Sequence, residues 1–211
     1  MPDEVEKPRP RTQAERSAQT RKRIMRAAIT SLYRNGYSAT STIVVANDAK
    51  VSRGAMLHQF PTKAEMMAGV LDAVYEEQSA YYLRVLGAIE DPVERLVQMT
   101  RAAWNAFKRP AGVAQMEIFL AARSDPDLKP IVRKANKRID AESRRGVAYL
   151  ARAAGIGDAK TIDAIWALGV SAVRGLQTQW INDLNGAPAD EALGMIETTL
   201  RELVRARAKK I

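Results

Sequence analysis

Along residues 16 to 35 the small and apolar positions Ile24, Ala27, Ala28, Ser31 and Leu32 recur at the spacing of one helix face, while Arg21, Lys22, Arg23, Arg26 and Arg34 fall mostly elsewhere. This predicts an amphipathic helix that stops at Asn35-Gly36, where glycine can adopt a left-handed conformation. A two-turn segment follows from Ser41 to Ala49, with Ser41 as its cap and Val45 and Ala49 on one face. Lys50-Val51 interrupts, Ser52 offers a second cap, and Arg53 to Phe60 predicts another two-turn helix closed by Pro61. One longer helix and two short ones in this order have the spacing of a helix-turn-helix.

Beyond Pro61 the pattern changes to long helices. Thr62 caps a run from Lys63 to about Ala88, with Met67, Val70, Leu71 and Val74 on its apolar stripe. Further helices are predicted at Pro92 to Lys108, Val113 to Arg123, Asp127 to Ala154, Ala159 to Leu184 and Ala189 to Lys209. Glycine, proline and aspartate cluster at the breaks between them. The β-branched run Thr42-Ile43-Val44-Val45 does not alternate, so no strand is expected. The fold class is all-α. Residues 1 to 15 hold three prolines and little apolar content and read as a disordered arm; 16 to 62 read as the helix-turn-helix unit and 63 to 211 as a larger helical domain.

The 211 residues are 46% hydrophobic and 27% charged, an ordinary globular composition. No stretch reaches the roughly 18 apolar residues of a membrane helix, and the first residues lack the features of a secretion signal, so a cytoplasmic protein is expected. There are no cysteines and one histidine, His58, which excludes disulfides, thiolate chemistry and histidine metal clusters; neither cofactor nor metal is expected. The net charge is +9. Residues 1 to 63 carry 12 Lys/Arg against 5 Asp/Glu, and the remainder 21 against 19, so the basic excess sits with the helix-turn-helix. That placement points to a phosphate-bearing partner.

The segment Gly36-Tyr37-Ser38-Ala39-Thr40-Ser41, with Ala46 and the run from Val51 to Met66, resembles the N-terminal DNA-binding domain of the tetracycline-repressor (TetR) family over residues 16 to 67. The resemblance implies a homodimer that binds a palindromic double-stranded DNA operator and responds to a small-molecule effector, usually as a repressor. It places DNA contacts at Ser41, Thr42, Ser52, Arg53, Gly54, Ala55, Leu57, His58, Gln59 and Lys63, with Lys63 meeting a phosphate. Three departures stand out: Lys50 where the family's turn has glycine, Leu57 where it has tyrosine, and Gln59 where it has histidine or asparagine. Ile43 and Val44 also replace polar residues at the start of the second helix; either they pack on the first helix or arm, or they touch apolar parts of the DNA. Chemically, Arg53 leads the recognition helix, where a guanidinium can donate two hydrogen bonds to guanine. Gly54 and Ala55 keep that surface low.

In the larger domain, Trp104, Phe107, Met116, Phe119, Trp166 and Gln177 are candidates for an effector pocket, although such stripes also build solid core. Trp166, Val170, Val173, Met195, Ile196, Leu200 and Leu203 lie on apolar faces of the last two helices and are the expected dimer interface. The run Glu117 to Leu128, with its Ser124-Asp125-Pro126-Asp127 turn, is given a structural role, while the basic stripe from Arg133 to Arg145, interrupted by Asp140 and Glu142, reads as a solvated helix face rather than as a site for an anionic effector or DNA. Gly155 to Thr161 lacks the final glycine and preceding strand of a phosphate-binding loop, and Gly169 to Val173 fails the nucleophile-elbow pattern, which leaves catalysis little support. Two other readings remain open: an architectural DNA-binding protein, and a helical-bundle enzyme acting on a hydrophobic metabolite.

Overall fold

The computed structural model describes residues 12 to 182 and 189 to 208. It is all-α, with no strand among the described residues. The first helix, α1 (Gln13–Ala39), starts earlier than the sequence predicts. A capping box is the reason: the Thr12 hydroxyl accepts from the Glu15 N–H (3.2 Å) and the Glu15 carboxylate accepts from the Thr12 N–H (2.7 Å). Residues 13 to 15 therefore belong to a helix rather than to the expected arm, whose residues 1 to 11 lie outside the described part. Gly36 breaks the helical path as expected (φ 75°, ψ 178°), and one short turn continues beyond it. That turn is held by the Thr40 hydroxyl, which donates to Gly36 O (2.8 Å) and pairs with the Ser31 hydroxyl (3.0 Å).

The two short helices are α2 (Thr42–Asp48) and α3 (Arg53–Gln59), capped by Ser41 and Ser52 as the sequence indicates. Thr62 and Glu65 form a second capping box at the start of α4 (Lys63–Gly87). The predicted helix from Pro92 to Lys108 is two helices, α5 (Pro92–Val97) and α6 (Met99–Phe107), separated by a slack turn at Gln98 that no glycine or proline marks. Helix α7 (Pro110–Ala121) starts three residues before the predicted one because Pro110 occupies its first turn, where a missing N–H costs nothing. The chain continues through α8 (Leu128–Ala153), α9 (Ala159–Ile181) and α10 (Ala189–Ala208). Asp158 caps α9 by accepting from the Thr161 N–H (2.8 Å), so the glycine-bearing turn before it is a helix connection.

The apolar core ignores the boundary that Pro61 suggests. Ile24, Leu32, Val45, Met56 and Phe60 of the first three helices pack with Met66, Met67, Val70, Leu71 and Val74 of α4, and the same cluster runs on to Ile118 of α7 and Leu128 and Val132 of α8. A second cluster joins Leu86, Leu96, Val147, Leu150, Ile162 and Ile165 to Leu200 and Val204 of α10. A third gathers Trp104, Val173, Leu176 and Leu193. Helix α4 contributes to the first two, so it is a shared beam between the helix-turn-helix end and the body. No helix among the described residues is long and apolar enough to cross a membrane.

Candidate nucleic-acid interface

Seven residues of α3 present two faces. Met56 is buried against the core, while Arg53, Gly54, Leu57 and His58 are exposed on one side at spacings of one and four residues. Ser52 does not need DNA to be satisfied, since its hydroxyl accepts from the Ala55 N–H (3.1 Å); Ser41 likewise accepts from the Val44 N–H (3.2 Å). Both are therefore helix caps first. At Gly54 an added Cβ would meet nothing closer than the Ser52 hydroxyl at 4.0 Å. Packing within the chain does not require glycine there, and its bare backbone leaves room for a close approach from outside.

Helix α1 fixes the pose of this unit through contacts that the sequence did not reveal. The Arg23 guanidinium donates to Ala49 O (2.5 Å) and Lys50 O (2.7 Å), in the turn between α2 and α3. Lys50 adopts the left-handed conformation (φ 51°) that the absent glycine would have adopted freely. The two charge-assisted bonds hold that strained turn in place. The Gln59 amide donates to the Ser17 hydroxyl (2.7 Å), so this residue, expected to face DNA, is occupied in tying α3 to α1. Arg21 lies 4.5 Å over the Phe60 ring and reinforces the same contact.

A polar clasp joins the helix-turn-helix end to the body. The Tyr37 hydroxyl donates to the Asp125 carboxylate (2.5 Å), and the Tyr37 N–H donates to Glu117 (3.0 Å). Lys63, expected at a phosphate, donates to Tyr37 O (2.8 Å) and lies 3.8 Å over the Tyr37 ring. Burial lowers the Lys63 pKa, and nearby Asp125 opposes that shift. Burial and the Asp125 hydrogen bond raise the Tyr37 phenol above its ordinary range. The Asp125 carboxyl is held below its usual range by the Tyr37 hydroxyl and by the N–H groups of Leu128 and Asp127, both of which also make Asp125 the lead-in to α8. The only sequence signals for this clasp were the Gly36-Tyr37 pair and the turn at Ser124 to Asp127, which carry no indication that they meet.

The six expected effector-pocket residues do not all fall in one packed cluster. Trp104 and Phe107 belong to the third cluster, and buried Gln177 spends its amide on Phe107 O (2.8 Å). Phe119 packs against the first cluster. Trp166 packs against the second, with its indole N–H donating to the Ser143 hydroxyl (3.0 Å) and Arg144 3.7 Å over its ring. Met116 is partly buried on α7. None of the six lines either the groove of about 1050 Å³ between α1, α4 and α8 or the one of about 670 Å³ between α8 and α9.

The expected dimer residues divide similarly. Leu200 is 3% exposed and Val173 is equally buried, both inside this single chain, so they are its core and have no surface left for a partner. Trp166, Val170, Ile196 and Leu203 are half-buried. Met195 remains open at 72% exposure, and α9 adds Leu168 at 48%, which the sequence reading passed over.

A compact helix-turn-helix carried on an all-helical body is the plan of a DNA-binding regulator. Residues 24–70 match the family model for bacterial regulatory proteins, tetR family. The HTH-type transcriptional regulator CymR of Pseudomonas putida is 27% identical over 208 residues, spanning 96% of this chain and 98% of that protein. Among solved structures, a TetR-family member from Streptomyces coelicolor A3 superposes with a TM-score of 0.63 at 24% identity, covering 86% of this chain and 98% of the other. The multidrug binding protein EbrR, complexed with imidazole, gives a TM-score of 0.59 at 24% identity, over 85% and 93%. Residues 24–70 therefore match a tetR-family regulatory domain, and over nearly its whole length the chain is similar to an HTH-type transcriptional regulator.

Proposed function

We propose that this regulator is a ligand-responsive repressor that binds a palindromic operator as a homodimer. The observation that carries the reading is the clasp of Tyr37, Lys63, Glu117 and Asp125, because it makes the pose of α1 to α3 depend on α7, α8 and the start of α4. A ligand that shifts α7 or the turn after it moves the recognition helix with it. Recognition helices of a dimer must sit about 34 Å apart to enter successive major grooves, so a small rotation weakens binding.

For the effector, support comes from a polar pair inside the body: the Gln78 amide donates to Gln115 (3.3 Å) between α4 and α7, with both side chains buried. Such a pair suits an uncharged ligand that carries a hydrogen-bonding group, since no ion is needed to match it. EbrR, bound to imidazole in its structure, offers a parallel of the same fold. For the dimer, the outward face of α9 bears Ala164, Leu168, Ser171 and Gly175, and α10 bears Met195 and Thr198. Small residues around two exposed apolar side chains permit close packing of the same face on a second copy.

Selecting bound fragments from random DNA against excess nonspecific competitor tests the reading directly. An inverted repeat with half-sites about one helical turn apart is expected. A single asymmetric site contradicts the dimer, and no enrichment at all contradicts operator binding.

A further inference from the structure

The exposed side of the helix-turn-helix is not uniformly polar. Leu57 is 42% exposed on the same face of α3 as Arg53 and His58, and Ile43 at the start of α2 is 63% exposed. Neither is needed for the core, where Val45 and Met56 fill the corresponding inward positions of the same helices. Neither has a donor, so Leu57 cannot replace the phosphate contact that a hydroxyl-bearing side chain would make. Around them stand Arg53, Lys50 and His58, all exposed, a setting suited to a polyanion rather than to an apolar protein surface. In the major groove the apolar feature presented by base edges is the C5-methyl of thymine.

We propose that Leu57 and Ile43 are specificity-determining residues that read thymine methyl groups. Each half-site then carries thymine at the positions these side chains meet, alongside the base read by Arg53. The missing Cβ at Gly54, next to Arg53 on the exposed face, lets the helix descend far enough for a leucine of ordinary length to reach a methyl. The inference rests on the operator-binding reading above and refines what that operator contains.

The test uses the full chain and the duplexes recovered by selection, with each thymine replaced in turn by deoxyuridine, which removes one methyl and nothing else. Burying a methyl-sized group is worth about 0.8 kcal/mol, so the wild type is expected to lose about fourfold in affinity per half-site at the contacted positions. Leu57→Ala should bind the thymine and deoxyuridine duplexes equally at one of these positions and keep the wild-type ratio at the rest. Ile43→Ala should do the same at a different position. Both alanine variants should leave the salt dependence of binding unchanged, because no phosphate contact is lost. An enriched operator whose affinity is indifferent to every methyl overturns the inference alone, as does a thymine preference that survives in both alanine variants. A pool without any enriched sequence overturns the operator reading and the inference with it.

Discussion

At Arg53 the proposed recognition of DNA reduces to one side chain. It is exposed at the first position of α3, and its five fixed donors match the two acceptors of guanine in the major groove. Losing such a bidentate pair costs about 1 to 3 kcal/mol at one base position and little elsewhere. Arg53→Ala is therefore expected to bind operator more weakly by roughly fivefold to 150-fold per half-site while its affinity for random DNA falls far less. Titrations of both DNAs at one salt concentration check this; equal losses on both assign Arg53 to a phosphate. Lys50 shows the opposite kind of residue, one whose backbone matters more than its side chain. Its left-handed conformation is tolerated because Arg23 grips the two carbonyls of the turn, a partner 27 positions away that propensity alone does not disclose.

Between elements, the clasp at Tyr37 is the link on which the proposed ligand response rests. Tyr37→Phe keeps the ring under Lys63 and removes the hydroxyl that donates to Asp125. A hydrogen bond to a charged group in a partly exposed seam is worth about 1 kcal/mol, and Tyr37→Phe and Asp125→Asn should show that cost once rather than twice when combined. The pH sign follows from the depressed Asp125 carboxyl. Its stabilisation is fully present above the ordinary aspartate range near 4 and is lost as pH falls through its lower folded value, so the cost of Asp125→Asn should shrink from pH 6 toward pH 3.5. Denaturant melts at the two pH values measure it; a cost that does not change means the carboxylate is not the acceptor that matters. The caps at Ser41, Ser52 and Thr62 were legible in the sequence because each accepts from a backbone N–H three residues on. The slack at Gln98, the Arg23 grip, the Gln59–Ser17 tie and the clasp were not, since each depends on which helices become neighbours. The exposed face of α3 was readable, whereas the occupation of Gln59 and Lys63 by the chain itself was not.

For the whole molecule, the proposed dimer turns on which faces of α9 and α10 the single chain leaves uncovered. Helix α10 turns Leu193, Glu197, Leu200 and Val204 inward, and ion pairs from Arg101 to Glu197 and Asp190 and from Arg201 to Glu94 bind it to α5 and α6. Hydrophobic periodicity identified both apolar faces of α9 and α10 but could not say which face the chain keeps for itself, because burial in a core and burial against a second copy leave the same pattern. The structure assigns Leu200 to the core and leaves Leu168 and Met195 outside. A charge at either place is costly for different reasons. Leu200→Glu buries an unpaired carboxylate within a chain whose total stability is of order 5 to 15 kcal/mol, so loss of the folded state is expected. Leu168→Glu places the charge in water in the single chain and becomes unfavourable only when a second copy covers it, and the two-fold axis applies that penalty twice. It is therefore expected to stay helical, to melt cooperatively, to sediment as a monomer at micromolar concentration and to bind the operator weakly although every DNA-reading residue is intact. Circular dichroism and sedimentation on the same preparation separate the cases. A folded Leu200→Glu monomer beside a dimeric Leu168→Glu chain means the partner is held by the other face of α10, and the outward surface of α9 has some other use.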